Sequence, residues 1–290
     1  MISSIRPWNI PSVATVIAAI AVISIIGPVW GIDFTGGSLL EFTAQRENAP
    51  KIRSHIESTH NLHASVQPTQ EGTVLVRVSE LSADQHAAIV SSLKDATLIE
   101  GDELRFEGIG PSIGAELRRK SVTAILVVMG ALVAYLAYAF RSASGHISAW
   151  KFGVSALWAL IHDLLVISAV FVVFGYVWQV PIDTLFVTAQ LAILGYSVND
   201  TIVLFHRVKT NLHDSKSTSL LDNVRGAMRA TLARSFNTSL TTLLVLVALL
   251  IFSSVSIRWF VVALMMGTVV GTYSSLFVAA PALLHLTRNR

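Results

Sequence analysis

An ionisable side chain within an apolar stretch is costly at membrane depth and, where it occurs, faces protein or water with a task to perform. The segment ILGYSVNDTIVLF places Asp200 in that position, with Asn199 beside it and His206 farther on. In a helix, Tyr196, Ser197 and Val203 share its face. Two readings stay open for the carboxyl: a proton carrier, or an aspartate solvated at the inner interface. His162 and Asp163 lie in a second apolar run. Such a pair can bind metal, relay protons or hydrogen-bond neighbouring helices. Metal would need further ligands at suitable spacing, and adjacent helical residues diverge by about 100°, so the two cannot both face one partner. A relay and a packing role remain open. The run Arg234-Ser235-Phe236-Asn237-Thr238-Ser239-Leu240-Thr241-Thr242 is dense in hydroxyls. Most of these suit helix packing. Arg234 either snorkels to the surface or meets Asp200, in which case the separation of the two sets whether the carboxyl holds its proton.

With 53% apolar and only 13% charged residues, the chain has too few charges to coat a soluble particle of 290 residues, and a bilayer is the implied solvent. A net charge of +3, spread over loops, gives no basic stripe for nucleic acid. The absence of cysteine excludes disulfides and thiolate metal sites; no cofactor and no metal are expected. Gly108, Gly110 and Gly114 superficially resemble a phosphate-binding turn. Their spacing is wrong by one, Pro111 removes an amide donor and no P-loop lysine follows, so a hinge is the better reading. Gly267 and Gly271, four apart, form a small-residue packing face. His55, His60, His63 and His86 are scattered, without a nucleophile or orienting group, and read as surface histidines rather than an enzyme site.

The elements that must position these residues are membrane spans. Six apolar runs of roughly 20 residues occur at about 12–30, 121–140, 152–174, 184–205, 236–255 and 259–286. The first follows Arg6 and lacks a small-x-small cleavage pattern, as expected of a retained anchor. Arg141, Lys151, Arg207, Lys209, Lys216, Arg225, Arg229, Arg234, Arg288 and Arg290 all fall on one side of the six, which places both termini in the cytoplasm. Arg118, Arg119 and Lys120 run against that bias, but they adjoin a long translocated segment. If the six helices stood alone, polar groups around Gln190, Asp200 and Asn237 would face lipid, which calls for a second, similar helical half.

Between the first two spans the pattern predicts strand 38–44, helix 49–60, strands 63–69 and 73–79, helix 82–96 and strand 104–109. Ser82 is the N-cap candidate, and Glu71 with Gly72 the turn between the middle strands. The expected fold is an α-helical polytopic membrane protein with six transmembrane helices and a small α+β ferredoxin-like (βαββαβ) extracytoplasmic domain. The boundaries are 1–30 for the N-terminus and first helix, 31–118 for the outer domain and 119–290 for helices two to six.

In this order, Gly31-Ile32-Asp33-Phe34-Thr35-Gly36-Gly37, Gly110-Pro111 with Gly114 and Glu116, His162-Asp163, Gly195 to Thr201, Arg234 with Asn237-Thr238-Ser239, and Gly271 to Ser275 resemble the SecD/SecF family of protein-export membrane proteins, within the resistance-nodulation-division superfamily. The resemblance covers nearly the whole chain. It implies a bacterial inner-membrane subunit that pairs with SecD and uses the proton motive force to help exported polypeptides through SecYEG after SecA-driven insertion, with YajC and YidC as further partners. It also implies that Asp200 is the proton-coupling carboxyl and Arg234 its counterpart. The family often has Asp-Arg just past the fourth span, where this chain has His206-Arg207, so a histidine would have to stand in for that carboxylate. The alternative is a subunit of a proton-driven small-molecule or lipid exporter of the same superfamily, which would need a substrate pocket in the outer domain. A passive scaffold is the third reading.

Overall fold

The computed structural model describes residues 9–69, 72–141, 147–214 and 219–287. Arg6, Glu71, Lys216, Arg288 and Arg290 lie outside them. The chain divides into two compact units, one of Val29–Val122 with Pro181–Thr184, the other holding the remaining helical segments.

The first unit is α+β. Its elements are α2 (Ile32–Thr35), β1 (Gly37–Thr43), α3 (Ala49–His60), β2 (Ser65–Pro68), β3 (Thr73–Val78), α4 (Ala83–Asp95) and β4 (Glu100–Ile109). The four strands form one antiparallel sheet in the order β2-β3-β1-β4. Alternation along β1 sends Leu40 and Phe42 to one face, opposite Val76 and Val74 of β3. There they meet Ile52 and Ile56 of α3 and Ile89 and Leu93 of α4, all without exposed surface. Each such side chain contributes about 1.5–3 kcal/mol on burial. Ser82 caps α4 as its sequence suggests, in a reciprocal box: Ser82 Oγ accepts from the Gln85 amide at 3.3 Å, and Gln85 Oε1 from the Ser82 amide at 3.0 Å.

The base of this unit is closed by residues 29–37. Gly31 N donates to Ile182 O at 2.8 Å, and Ile182 N to Val29 O at 2.7 Å. Gly37, at φ +134°, lies so close to Val78 that a Cβ would stand 2.6 Å from its carbonyl oxygen, a position only glycine can fill.

In the second unit α1 (Asn9–Ile26), α6 (Ala149–Trp178), α7 (Thr184–Asp214, its first residue in the other unit), α8 (Leu220–Phe252) and α9 (Val255–Ser274) are joined by α5 (Pro111–Ala139), which continues from β4 of the first. A π turn, Ser275–Ala279, carries α9 on into α10 (Ala280–Thr287). Five helices are long and apolar enough to cross a membrane, and Pro11–Ile26 is a shorter apolar helix. The apolar windows of α6, α7 and α9 are 44–50% buried, against 11% for α5 and 17% for α8, whose surfaces are left to lipid or a partner. The core of this unit is centred on Phe140, Phe152 and Phe205, whose rings lie 4.9–6.1 Å apart.

Candidate functional site

Two carboxyl groups lie inside the helical unit, on adjacent helices. Asp163 of α6 has no exposed surface. Its Oδ2 accepts from Ser197 Oγ of α7 at 2.6 Å and from Ser274 Oγ of α9 at 2.7 Å, while Oδ1 faces His162 Nδ1 at 3.1 Å. The carboxylate thereby joins three helices through short, charge-assisted bonds. His162, 2% exposed, reaches the other way, with Nε2 3.1 Å from Thr15 Oγ1 of α1. The two neighbours diverge to different helices, as helical geometry requires, and they also bond each other.

Asp200 lies one turn beyond Ser197 on α7 and is 5% exposed. The Ser235 hydroxyl is its side-chain hydrogen-bonding neighbour and the Arg234 guanidinium the nearby charge. Its Oδ2 is buried with no partner among the described residues. No ion pair closes between Asp200 and Arg234 there, and the Arg234 side chain is exposed. Next to this carboxyl, Ser239 of α8 accepts from Tyr196 Oη at 3.1 Å, bonds Thr272 of α9 and donates to Ser235 O at 2.8 Å. A file of hydroxyls therefore links α7, α8 and α9 beside Asp200.

The other expected site residues are less engaged. Asn199, His206 and Asn237 are exposed, and Thr238 donates to the Arg234 carbonyl at 2.9 Å, one turn back along its own helix. The polar groups expected to face lipid divide. Gln190 (2% exposed) and Asp200 are buried within this chain, Gln190 donating to Ser168 Oγ at 3.1 Å, whereas Asn237 does lie on the surface. The reason is packing: α7, which carries Gln190 and Asp200, has about half of its apolar stretch buried, while α8 presents most of its own outward. Among the described residues no group of three or more His, Asp or Glu side chains could hold a metal.

Close helix approach sets the geometry. A Cβ on Gly267 would stand 2.2 Å from Ile193 Cγ1, and one on Gly271 would stand 3.1 Å from Ser197 Cβ, so the glycine face of α9 rests directly on α7. That proximity lets Ser197 and Ser274 share one carboxylate oxygen. Sequence reasoning had Asp163 but not its donors; the only signal was a serine within each of two apolar helices.

The family described as protein export membrane protein SecD/SecF, C-terminal, matches residues 89–289, and the SecD/SecF GG motif matches residues 21–47. The chain belongs to the SecD/SecF family. It is 34% identical to protein translocase subunit SecF of Anaerolinea thermophila over 276 residues, covering 94% of this chain and 89% of that one. Against the SecF subunit of Pseudomonas aeruginosa it is 34% identical over 260 residues, 89% of this chain and 81% of the other. The crystal structure of SecDF from Thermus thermophilus superposes with a TM-score of 0.86 at 28% identity, over 100% of this chain and 40% of that chain, so the chain spans under half the length of SecDF. Within the SecD/SecF family, its function is that of a SecF subunit of the Sec protein translocation machinery, a multi-pass membrane transport protein and not an enzyme.

Proposed function

We propose that the chain works with SecD as a proton-coupled unit of the bacterial inner membrane, using the proton motive force to draw exported polypeptides through SecYEG after SecA-driven insertion. The observation that carries this reading is Asp200, a buried carboxyl with one oxygen unpartnered and a guanidinium close by. Its occupancy by a proton changes the cost of keeping it in a low-dielectric surround. In this reading six helices span the membrane, both termini are cytoplasmic and residues 31–118 form the ferredoxin-like extracytoplasmic domain. SecD supplies the second helical half, covering the outward side of α8 where Arg234 and Asn237 are exposed. YajC and YidC are accessory partners. Asp163, His162, Asn199, His206, Asn237 and Thr238 hold helix positions or pass protons to and from Asp200.

Pulse-chase processing of a secreted precursor tests it, in cells depleted of this chain and complemented with wild type or Asp200→Asn at matched membrane levels. Depletion should slow maturation and only wild type should restore it. Normal maturation on depletion sinks the export role, and rescue by the asparagine variant removes Asp200 from the mechanism.

A further inference from the structure

The segment Gly31-Ile32-Asp33-Phe34-Thr35-Gly36-Gly37 has no part in the chemistry of Asp200, yet several of its polar and close contacts fall on the first residues of a long helix or just before them. Asp33 Oδ2 accepts from the backbone amide of Thr184 at 2.8 Å and from the Thr184 hydroxyl. Thr184 is the first residue of α7, and the first amides of any helix point away from its own carbonyls and take acceptors from outside it. Asp33 is thus an N-cap supplied from 151 residues earlier in the chain.

Two more ties hold the same spot. The Gly31 amide binds Ile182 O, and a Cβ at Gly31 would stand 3.1 Å from Asp183 Cβ. From the sheet, Arg77 of β3 donates to Gln67 at 2.6 Å and feels the Asp183 carboxylate; burial pushes its guanidinium below the ordinary value and Asp183 opposes that shift. The other end of the segment grips α5: a Cβ on Gly36 would stand 2.9 Å from Pro111 Cα, and one on Gly114 would stand 2.9 Å from the Gly36 amide nitrogen. Directly after Gly37 the chain becomes β1, the second-from-edge strand of the sheet.

We infer that residues 31–37 are a clasp, and that the Asp33 cap on Thr184 is the joint by which axial or rotational movement of α7 is passed to the α+β unit. α7 is one continuous helix from Thr184 to Asp200 and beyond, so a displacement at the carboxyl reaches the cap, about 24 Å away, without an intervening loop. The cap transmits it to residue 33, four positions before β1 begins. This rests on the reading of Asp200 as the proton-coupled group. In that scheme Asp33 is a positioning residue that touches no proton and no polypeptide.

Hydrogen exchange on the full-length chain with SecD in proteoliposomes tests the joint. Exchange is read at the α7 head (185–188) and in β1 (37–43), for wild type and Asp200→Asn, each with Asp33 intact, as Asp33→Ala and as Asp33→Asn. With Asp33 intact, Asp200→Asn should alter exchange at both places. Asp33→Ala should raise exchange at the α7 head about fivefold, the usual worth of a lost cap, and abolish the β1 response to Asp200→Asn. Asp33→Asn, which keeps an acceptor oxygen, should restore that response. If Asp33→Ala does not accumulate in the membrane, Thr184→Ala, which removes only the hydroxyl donor, should halve the β1 response. A β1 response that survives Asp33→Ala or Thr184→Ala unchanged overturns the inference, as does an absent response with Asp33 intact. Failure of the proton reading is seen separately, in normal precursor processing by Asp200→Asn.

Discussion

Ser274 and Asp163, separated by 111 residues, meet at 2.7 Å in the interior, where the serine hydroxyl and that of Ser197 converge on one carboxylate oxygen. The arrangement ties α6, α7 and α9 at one level, a turn from Asp200, so the position of the proton-coupling candidate depends on a carboxylate held by side chains of its neighbours.

Asp163→Ala should therefore destabilise the helical unit by about 3 kcal/mol, because three buried donors lose their acceptor. Asp163→Asn should cost less, about 1–2 kcal/mol, since one oxygen still accepts while the new amide faces a donor. Thermal unfolding in detergent, with the SecD complex intact, measures both.

Gly267→Ala should loosen the approach of α9 to α7 by about 1–3 kcal/mol, as overpacking does, given the 2.2 Å separation a Cβ would have from Ile193. The double variant Gly267→Ala with Ile193→Ala should recover part of that loss. Additive losses in the double variant would show that the contact is not the cause.

Asp200→Asn should remove the gradient-dependent part of precursor maturation. The loss per proton is bounded at about fifty-fold at 100 mV, since one charge crossing that potential releases roughly 2.3 kcal/mol. Arg234→Ala should shift the pH dependence of maturation, and Arg234→Lys should restore it, because Arg234 acts on Asp200 through charge rather than a closed ion pair. Maturation rates across a pH series in inverted vesicles report both.

The α+β unit should lose stability in acid. The Arg53 hydrogen bond holds Glu57 below the ordinary carboxyl range, and the Lys94 hydrogen bond does the same for Asp102. A folded-state value below the unfolded one stabilises fully above the unfolded pKa, about 4, and the contribution disappears as pH falls through the depressed folded value. Both groups are on the surface, so the effect is small and salt should weaken it. Exchange within residues 49–60 and 83–95, compared at pH 6 and 3, reads it; Glu57→Gln with Asp102→Asn should flatten the difference.

Local signals were legible in the sequence where one side chain decides the outcome. Ser82 announced its cap, strand alternation announced the face of Leu40 and Phe42, and four-residue spacing announced the Gly267 and Gly271 face. Asp200 was visible for the same reason: a carboxyl in an apolar run stands out against its neighbours. What could not be read was pairing between distant segments. Nothing near Asp33 marks Thr184 as its partner, and nothing near Asp163 marks Ser197 over the other hydroxyls, since those choices are made by how helices pack. The same gap explains Gln190, which looks lipid-facing from spacing alone but lies on the buried side of α7. His86 also departs from a surface reading, lying 2.7 Å from Glu103 and tying α4 to β4.

The π turn at Ser275–Ala279 begins immediately after Ser274. A turn widened by one residue resets the helix face by about 100°, so α10 turns a different side to its neighbours than an unbroken α-helix would. Ser274, the last residue before that reset, keeps its hydroxyl on Asp163, while Leu276, Val278 and Leu283 after it are buried in the core of the same unit.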